Sequence, residues 1–447
     1  MAAAAALAFS VSSIASEDSV SAELTPSGAV KAGNSVGTIP AWTGGMATPA
    51  GWKPGEDRGA FSPFKAEKPL FTIDASNVDK YAANLTPGQI QELKQNSGYR
   101  MDVYPTHRTC GLPEFATQNT LKNAGHAKIA ADGTSLAVAD LPGVPFPKPA
   151  SGIEAMWNFL ARYQGVGLNA TMTTYISPRS GSSDPIIVRG PVTTFWPTGA
   201  KGTTTPNQVN DVYSAVWGGT DEPAALAGQG FVQTMYFGKG PDSFFYFVGQ
   251  RRVRRMPTYD HDAPLIGYDN QYLNDQVSLF NGNPDRYDWK IIGHKEIYAP
   301  YNAFAMYNAK TKIEDAAGPH SLVPAVRRYE LHRVLEIEGT VKAGMRNISP
   351  TRTLYLDEDS WIALAGDSFD STGKIWKVAE MFPIPVWELG ACAATAIEMY
   401  DTGSGRYLVD AVPFSTGKQY VWSQDGKGGQ FDMTYYTPDS LQSRSER

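Results

Sequence analysis

The sequence predicts a β-rich α+β fold built around a large curved antiparallel sheet, and three observations support this prediction. The 447 residues include 43 glycines and 31 prolines, which is a high density of turn-forming residues. Aromatic residues, which are enriched in strands, make up 11% of the chain. From Met172 onward, short aromatic or alternating runs are separated by turn residues, as in an antiparallel meander.

The composition also argues against several classes of protein. Hydrophobic residues make up 42% of the chain and the net charge is only -6, so most of the chain can form a folded core. Because 39 basic residues face 45 acidic ones, we expect no nucleic-acid binding. No window of the sequence holds the roughly 18 apolar residues that a membrane-spanning helix needs.

The N-terminal region divides into two segments. Residues 1–22 are interpreted as a signal-peptide remnant, because Ala2 to Phe9 is an apolar run followed by small residues. No Lys or Arg precedes that run, so an alanine-rich tail is the alternative. Residues 23–72 lack helical or strand periodicity, and we expect an extended arm held against the body by its aromatic rings. These rings are Trp42, Trp52, Phe61, Phe64 and Phe71.

Two helices are predicted from their start signals. Thr86 is a candidate N-cap, with Pro87 at the first helical position and Gln89 completing a capping box. Ser151 precedes a second helix over residues 152–163, whose apolar stripe includes Trp157. This second helix either covers the sheet as a lid or plug, or simply buries Trp157 in the core.

Strands are predicted most clearly in the second half of the chain. Residues 231–237 and 244–248 are rich in aromatic residues. Residues 328–341 alternate in polarity, and the chain then turns twice, at 357–360 and at 370–373, before a last strand that ends at Met381. A sheet of this kind can curve and keep one face apolar, which is a physical route to binding hydrophobic ligands.

No catalytic or metal-binding motif is recognisable. The chain lacks a nucleophile elbow, a dinucleotide-binding fingerprint, a phosphate loop and a His-Glu-x-x-His zinc motif. Asp260, His261 and Asp262 are consecutive, which is more typical of a loop held by Asx turns than of a metal site. We expect no cofactor, no metal and no enzymatic activity.

The densest cluster of charge lies in residues 251–255, which include four arginines. In a strand, Arg252 and Arg254 lie on one face. Neighbouring guanidinium groups repel each other unless anions meet them, and three interpretations stay open: internal ion pairs, contact with an anionic headgroup, or docking of a partner protein. The candidates for internal pairing are Asp260, Asp262 and Asp285.

The chain has two cysteines, Cys110 and Cys392. Their number and spacing exclude a disulfide-rich scaffold and a zinc site made of cysteines alone. In an oxidising compartment the two thiols can pair. The alternative is that both are small buried apolar residues.

Several blocks of the sequence together resemble the bacterial domain-of-unknown-function family 1329. The resemblance runs in order from about residue 23 to about residue 435. The blocks that carry it are Gly37–Gly45, Glu67–Ile73, Tyr104–Thr109, Pro145–Pro147 with Gly152–Asn158, Arg162–Tyr163, Gly249–Arg255, Phe280–Gly282 with Tyr287–Trp289, Tyr298–Asn302, and Arg328–Val334 through Tyr355–Trp361.

The resemblance implies a fold and a role. The implied fold is a half-open, unclosed β-barrel of the lipoprotein-carrier type, with helices over its concave face, as a single domain over residues 73–440 followed by a tail at 441–447. The implied role is a periplasmic or outer-membrane-associated carrier of a lipid or other hydrophobic molecule. Implied partners are a resistance-nodulation-division (RND) type exporter and an outer-membrane β-barrel protein. The candidate ligand-binding residues are Tyr104, His107, Trp157, Arg252 and Arg254.

Two alternative functions make different structural predictions. An envelope scaffold that docks a transporter needs no ligand, so Phe and Trp side chains would fill its concave face. A lipid-acting hydrolase would need a paired Asp and His in a buried pocket, and His107 and His332 are the candidates. A carrier instead requires an open apolar cavity.

Overall fold

The computed structural model describes residues 23–446, so the predicted signal-peptide remnant at 1–22 lies outside the described residues. The described part of the chain forms six α-helices: α1 (Val78–Tyr81), α2 (Pro87–Gln95), α3 (Glu114–Asn123), α4 (Gly152–Leu160), α5 (Ile313–Ala316) and α6 (Pro438–Ser445). Its strands are β1 (Phe71–Ile73), β2 (Met101–Val103), β3 (Lys128–Ile129), β4 (Leu136–Val138), β5 (Gly167–Ile176), β6 (Ile186–Phe195), β7 (Val212–Gly219), β8 (Gly230–Tyr236), β9 (Asp242–Phe247), β10 (Arg252–Arg255), β11 (Tyr287–Pro300), β12 (Tyr329–Val341), β13 (Thr351–Asp357), β14 (Ala363–Phe369), β15 (Ile375–Met381), β16 (Ile384–Val386), β17 (Ala391–Ala393), β18 (Ile397–Asp401), β19 (Arg406–Val412) and β20 (Val421–Ser423).

One large sheet contains 16 of these strands. Its order is β1-β2-β12-β13-β14-β15-β18-β19-β5-β6-β7-β8-β9-β10, with β11 also paired to β12 and β20 to β5. The pairs are antiparallel except for the short contact between β2 and β12. The two end strands, β1 and β10, do not pair with each other, so the predicted unclosed antiparallel sheet is confirmed.

The meander predicted after residue 328 is also confirmed. Strands β12, β13, β14 and β15 pair in sequence, each with the next. The turn between β13 and β14 lies where the acidic run at 357–360 predicts it. The capping box of α2 is present, because the Thr86 side chain accepts from the Gln89 backbone and the Gln89 side chain accepts from the Thr86 backbone.

Helix α4 packs on the inner face of the sheet against β11 and β12. Its first residue is a glycine for a steric reason: a Cβ on Gly152 would lie 2.4 Å from the carbonyl carbon of Trp289. The core around the helix combines Met156 and Trp157 with apolar residues of β11–β15, such as Ile297 and Leu354. We call α4 with β11–β15 the filled half of the inner face.

The N-terminal arm lies along the body through its rings. Trp52 meets Trp387 edge-on at 5.0 Å between centroids, and the Trp42 indole donates to the Cys110 carbonyl at 2.9 Å. At the other terminus, Leu441 of α6 is buried against β8 and β9. The segment predicted as a tail from residue 441 therefore starts inside this helix.

Candidate ligand-binding cavity

A cavity of about 300 Å³ lies on the inner face of strands β5–β9, which we call the hollow half. Along each strand, only every second residue points toward the cavity and forms part of its wall. Strand residues that line it include Met172, Thr174, Val188, Val192, Val216, Phe231, Met235 and Phe245. The wall is mainly aliphatic and aromatic, which is the character of a pocket for an apolar molecule.

The strand register shows how the sheet builds this wall. Val192 faces Gly218, Gly218 faces Phe231, and Phe231 faces Phe245, so these residues form one cross-strand row. A Cβ on Gly218 would lie 2.3 Å from the Phe231 ring, so the glycine leaves space for that ring. The Phe231 and Phe245 rings stack at 5.7 Å between centroids. The row thus presents a continuous apolar surface to the cavity.

The segment 259–281, between β10 and β11, covers the cavity on the side away from the sheet. It contributes Tyr259, Leu265, Tyr268, Tyr272 and Phe280 to the lining. The Tyr259 ring meets Phe245 edge-on at 4.6 Å, which ties the segment to the sheet. The end of α4 closes a further side with Phe159 and Leu160.

Among the described residues, Arg162 is the one basic residue that lines this apolar cavity. Arg162 follows α4 directly, and its guanidinium donates to the Phe159 carbonyl at 2.7 Å and to the Gln164 side-chain oxygen at 3.1 Å. Its Nε is buried without a hydrogen-bond partner. Desolvation lowers the pKa of the Arg162 guanidinium to about 10, and Tyr213 opposes this shift.

Arg162 is half-buried, and it differs from the buried arginines of the described chain because it forms no ion pair. The buried arginines do pair with carboxylates: Arg58 with Glu388, Arg108 with Asp359, Arg327 with Glu398, Arg328 with Glu67 and Glu330, Arg352 with Asp275, and Arg406 with Asp269. An unpaired charge in a low-dielectric environment is costly. The cavity therefore contains an uncompensated positive charge.

Two polar clusters also line the cavity. The Asp410 carboxyl accepts from the Thr174 and Tyr272 hydroxyls, and burial raises its pKa. On the other side, the Gln233 amide donates to Asn274 at 3.2 Å, while the Asn274 Nδ2 is buried without a partner. The side-chain hydrogen bonds of the Asp410 carboxyl go to these hydroxyls and not to Arg162.

Arg252 and Arg254 lie on the exposed edge strand β10. Arg254 faces Phe245 and Arg252 faces Phe247, so both arginines share the face of the sheet that lines the cavity. The internal pairing with Asp260, Asp262 or Asp285 does not form. In the described chain, Arg255 instead pairs with Asp242 at 2.7 Å, while Asp262 lies 3.7 Å from Arg286. The short turn between β9 and β10 brings Asp242 closer than the later aspartates.

Trp157 does not line the cavity. Its side chain is fully buried in the filled half, where the indole donates to the Thr134 carbonyl at 2.6 Å. Its ring lies 6.0 Å from Tyr213, which itself lines the cavity. Trp157 is thus a core residue one layer behind the cavity wall.

Tyr104 and His107 lie near each other but away from the cavity. The His107 ring stacks on Phe64 at 4.2 Å and forms a 2.8 Å hydrogen bond with Glu67. The Arg328 guanidinium lies 4.4 Å from the Tyr104 ring centroid. This cluster fastens the N-terminal arm to β12 and is not brought together with Arg252 or Arg254.

A third buried cluster has the residue types of a metal site. One ligand atom from each of His332, Asp357 and Asp359 lies within 4.8 Å of the others. However, both Asp359 oxygens accept from Arg108, at 2.8 and 2.7 Å, and Asp357 accepts from Tyr301 at 3.0 Å. Because these oxygens are already engaged, we assign no metal there. No histidine is among the described residues that line the cavity, so the Asp–His pair of a hydrolase is not found in it.

Cys110 and Cys392 form a disulfide, with Cα atoms 5.0 Å apart and 282 residues of separation. Both residues are buried. The bond joins the chain that follows β2 to β17 and so links distant parts of the sequence.

The residues that give the cavity its charge, Arg162 and Asp410, were not among the site residues predicted from the sequence. Arg162 stands alone after a helix, where a basic residue is ordinarily a C-terminal cap. Asp410 is a single acidic residue within a strand. Neither forms a motif with its neighbours, and only the folded chain brings them to one cavity. Of the two residues, only Arg162 has a signal in the sequence, because it lies within a block of the family resemblance.

A family model described as "Protein of unknown function (DUF1329)" matches residues 72–442. The chain belongs to this family. The uncharacterized protein PA3922 of Pseudomonas aeruginosa is 36% identical over 429 residues, covering 95% of this chain and 92% of that protein. Within residues 23–446, no helix combines the length and apolar character needed to cross a membrane.

Part of this chain is also similar to solved structures. A putative outer-membrane lipoprotein-sorting protein domain from Vibrio parahaemolyticus is 12% identical, with a TM-score of 0.45 over 65% of this chain and 98% of that chain. A DUF1329 family protein from Desulfovibrio piger is 13% identical, with a TM-score of 0.41 over 62% of this chain and 92% of that chain. The LolA superfamily protein NE2245 from Nitrosomonas europaea is 12% identical, with a TM-score of 0.36 over 65% of this chain and 100% of that chain.

Proposed function

We propose that this DUF1329 protein is a periplasmic carrier that holds a lipid or another hydrophobic molecule in the hollow half. The observation that carries the proposal is the apolar cavity of about 300 Å³ between β5–β9 and the segment 259–281. This volume is at the lower end of the range for small-molecule pockets. Burial of about ten methylene groups would supply roughly 8 kcal/mol before the costs of association.

The disulfide supports the periplasmic location in this proposal. A bond between Cys110 and Cys392 persists in an oxidising compartment, whereas cytosolic thiols are generally kept reduced. Association with the outer membrane, and work with an RND-type exporter and an outer-membrane β-barrel protein, are further parts of the proposal. They come from the family resemblance and are tested by co-purification from cross-linked envelopes. The proposed mechanism is binding and release without catalysis.

Arg252 and Arg254 have a proposed role at the mouth of the cavity. They project from the open edge on the cavity-facing side, and neither forms an ion pair in the described chain. Exposed charges of this kind mainly affect the rate of association with oppositely charged ligands. Replacing both arginines with alanine should therefore slow the binding of anionic ligands and leave the binding of neutral ligands unaffected. An equal decrease in the association rates of anionic and neutral ligands would contradict this role.

A cavity-filling variant tests the proposed function. Val192 lines the cavity and is half-buried, so Val192→Trp should occupy ligand space with little effect on folding. We expect a fluorescent fatty-acid analogue to bind the native protein and to lose at least about tenfold in affinity for Val192→Trp. The matched control is Val36→Trp on the arm, where the valine is 75% exposed. Equal binding by both variants would contradict ligand binding in this cavity.

A further inference from the structure

We infer that the Arg162 side chain is an internal anchor for a single anionic group, so that the preferred ligand is an amphiphile with an apolar chain and a carboxylate or phosphate-type head. This inference rests on the proposed function and adds the chemical class of the ligand. It concerns a residue inside the cavity wall, distinct from the arginines at the open edge.

The Arg162 guanidinium lacks a counter-charge, which supports its role as an anchor. Arg162 has five N–H donors, of which one bonds the Phe159 carbonyl and one bonds Gln164. Both partners are neutral, and none of the described carboxylates forms an ion pair with this guanidinium. A bound anion would supply the charge-assisted hydrogen bonds that the protein itself does not.

Structural arginines in the same molecule differ from Arg162, and this contrast also supports the anchor. Arg352, which is 2% exposed, is held by Asp275 at 2.9 Å and lies over the Phe280 and Tyr287 rings. Arg108 has a bidentate partner in Asp359. This chain thus neutralises the arginines that it uses for packing. Arg162 breaks that pattern at a place where a ligand has room to bind.

The position of the Arg162 charge relative to the apolar wall also supports the anchor. Arg162 follows Phe159 and Leu160 at the end of α4, and all three line the cavity with Met172, Val192 and Phe231. A ligand whose head contacts Arg162 can therefore lay an apolar chain along β5–β8. The Asn274 Nδ2, buried and unpartnered on a lining residue, offers a neutral polar contact in the same cavity.

A different role for Arg162 is to cap α4 through the Phe159 carbonyl, with help from the helix dipole. The helix end carries only about half an elementary charge, so it does not neutralise a full cation. The two roles predict different effects of substitution. A cap affects stability for every ligand alike, whereas an anion anchor discriminates between ligands by their charge.

The test uses three ligands of equal chain length: decanoate, decan-1-ol and decyltrimethylammonium. Affinities are measured by displacement of a neutral fluorescent probe from the native protein, Arg162→Gln and Arg162→Lys. We expect the native protein to prefer decanoate. Arg162→Gln should lose at least about tenfold in decanoate affinity, mainly through faster dissociation, with decan-1-ol unchanged. Arg162→Lys keeps the charge but loses the planar fork, so its affinity for decanoate should be intermediate.

The outcomes separate this inference from the proposed function. If decanoate and decan-1-ol bind the native protein equally well, or if Arg162→Gln weakens both alike, the anchor is wrong and the carrier proposal stands. If none of the three ligands binds, the carrier proposal itself fails. If Arg162→Gln does not fold, the ligand preference of the native protein and of Arg162→Lys still decides. The matched control, Arg252→Gln with Arg254→Gln, should slow association and leave the dissociation rate of decanoate unchanged.

Discussion

The two halves of the inner face use similar strands in opposite ways. In the filled half, α4 places Trp157 and Met156 against β11–β15, and both side chains are fully buried. In the hollow half, strands β5–β9 carry an equally apolar inner row, but the segment 259–281 and the end of α4 cover it without filling it. The difference indicates that packing in the first half stabilises the fold, while the space left in the second is available for a ligand.

Charge follows the same division. In the filled half, Arg352 meets the Asp275 carboxylate and two aromatic rings. In the hollow half, Arg162 bonds two neutral oxygens and lies over the Phe159 ring, 4.8 Å from its centroid, without a carboxylate partner. Removing one partner of a buried ion pair leaves the other charge uncompensated, whereas removing a cation that has no ion pair leaves no unpaired charge behind. The free energies of unfolding of matched variants therefore show whether the two halves differ in this way.

The largest difference in stability between the two halves is expected when a large inward-facing side chain is truncated to alanine. Trp157→Ala removes a fully buried ring and the indole bond to Thr134, so it should lower the free energy of unfolding by about 3–5 kcal/mol. Val192→Ala in the hollow half removes a half-buried side chain that faces open space, and should cost about 1 kcal/mol or less. Urea unfolding followed by fluorescence and circular dichroism measures both. Similar costs would mean that the two halves are equally packed.

The second difference concerns the arginines. Arg352→Met should lower the free energy of unfolding by about 3 kcal/mol or more, because it leaves Asp275 buried without its cation. Arg162→Met should change it by less than about 1 kcal/mol, or raise it, because no described carboxylate loses a partner. The same unfolding experiment applies. A large loss for Arg162→Met would show that this side chain mainly stabilises the fold.

A smaller, pH-dependent effect is expected in the filled half. Burial raises the pKa of Asp367 on β14 to about 7, although its carboxyl accepts from Gly88 and Thr86. The folded state then keeps a proton that the unfolded chain releases, so stability falls as the pH rises from about 4 to about 7. Asp367→Asn should remove up to about 4 kcal/mol of this dependence. Thermal unfolding at pH values across this window measures it, and parallel curves for the two proteins would contradict the assignment.

Local patterns in the sequence predict much of the sheet. Alternation and acidic turns predict the meander of β12–β15, and the capping box at Thr86 and Gln89 predicts the start of α2. Shared facing of Arg252 and Arg254 also follows from strand periodicity. These features depend on residues close together in the chain, which is why sequence patterns are enough to find them.

The cavity depends on relations that local patterns do not contain. Periodicity indicates that one face of β5–β9 is apolar, but not whether α4 fills that face or stops beside it. The pairing of Arg255 with Asp242 rather than with Asp260 is set by the register of β9 and β10. Arg162 becomes unusual only when its surroundings are compared with those of the buried arginines in the described chain. The placement of α4 on the sheet and the comparison of arginines involve residues that are far apart in the sequence, whereas the pairing of Arg255 needs the register of one hairpin.

Mass spectrometry of organic extracts from the native protein, purified out of the periplasm, tests whether the hollow half carries a ligand. The Val192→Trp variant and a denatured sample of the native protein serve as controls. We expect the native protein to yield an anionic amphiphile in near-stoichiometric amount, and Val192→Trp to yield much less. Extracts free of any hydrophobic ligand across several growth conditions, or equal amounts from both proteins, would contradict the carrier function of the hollow half.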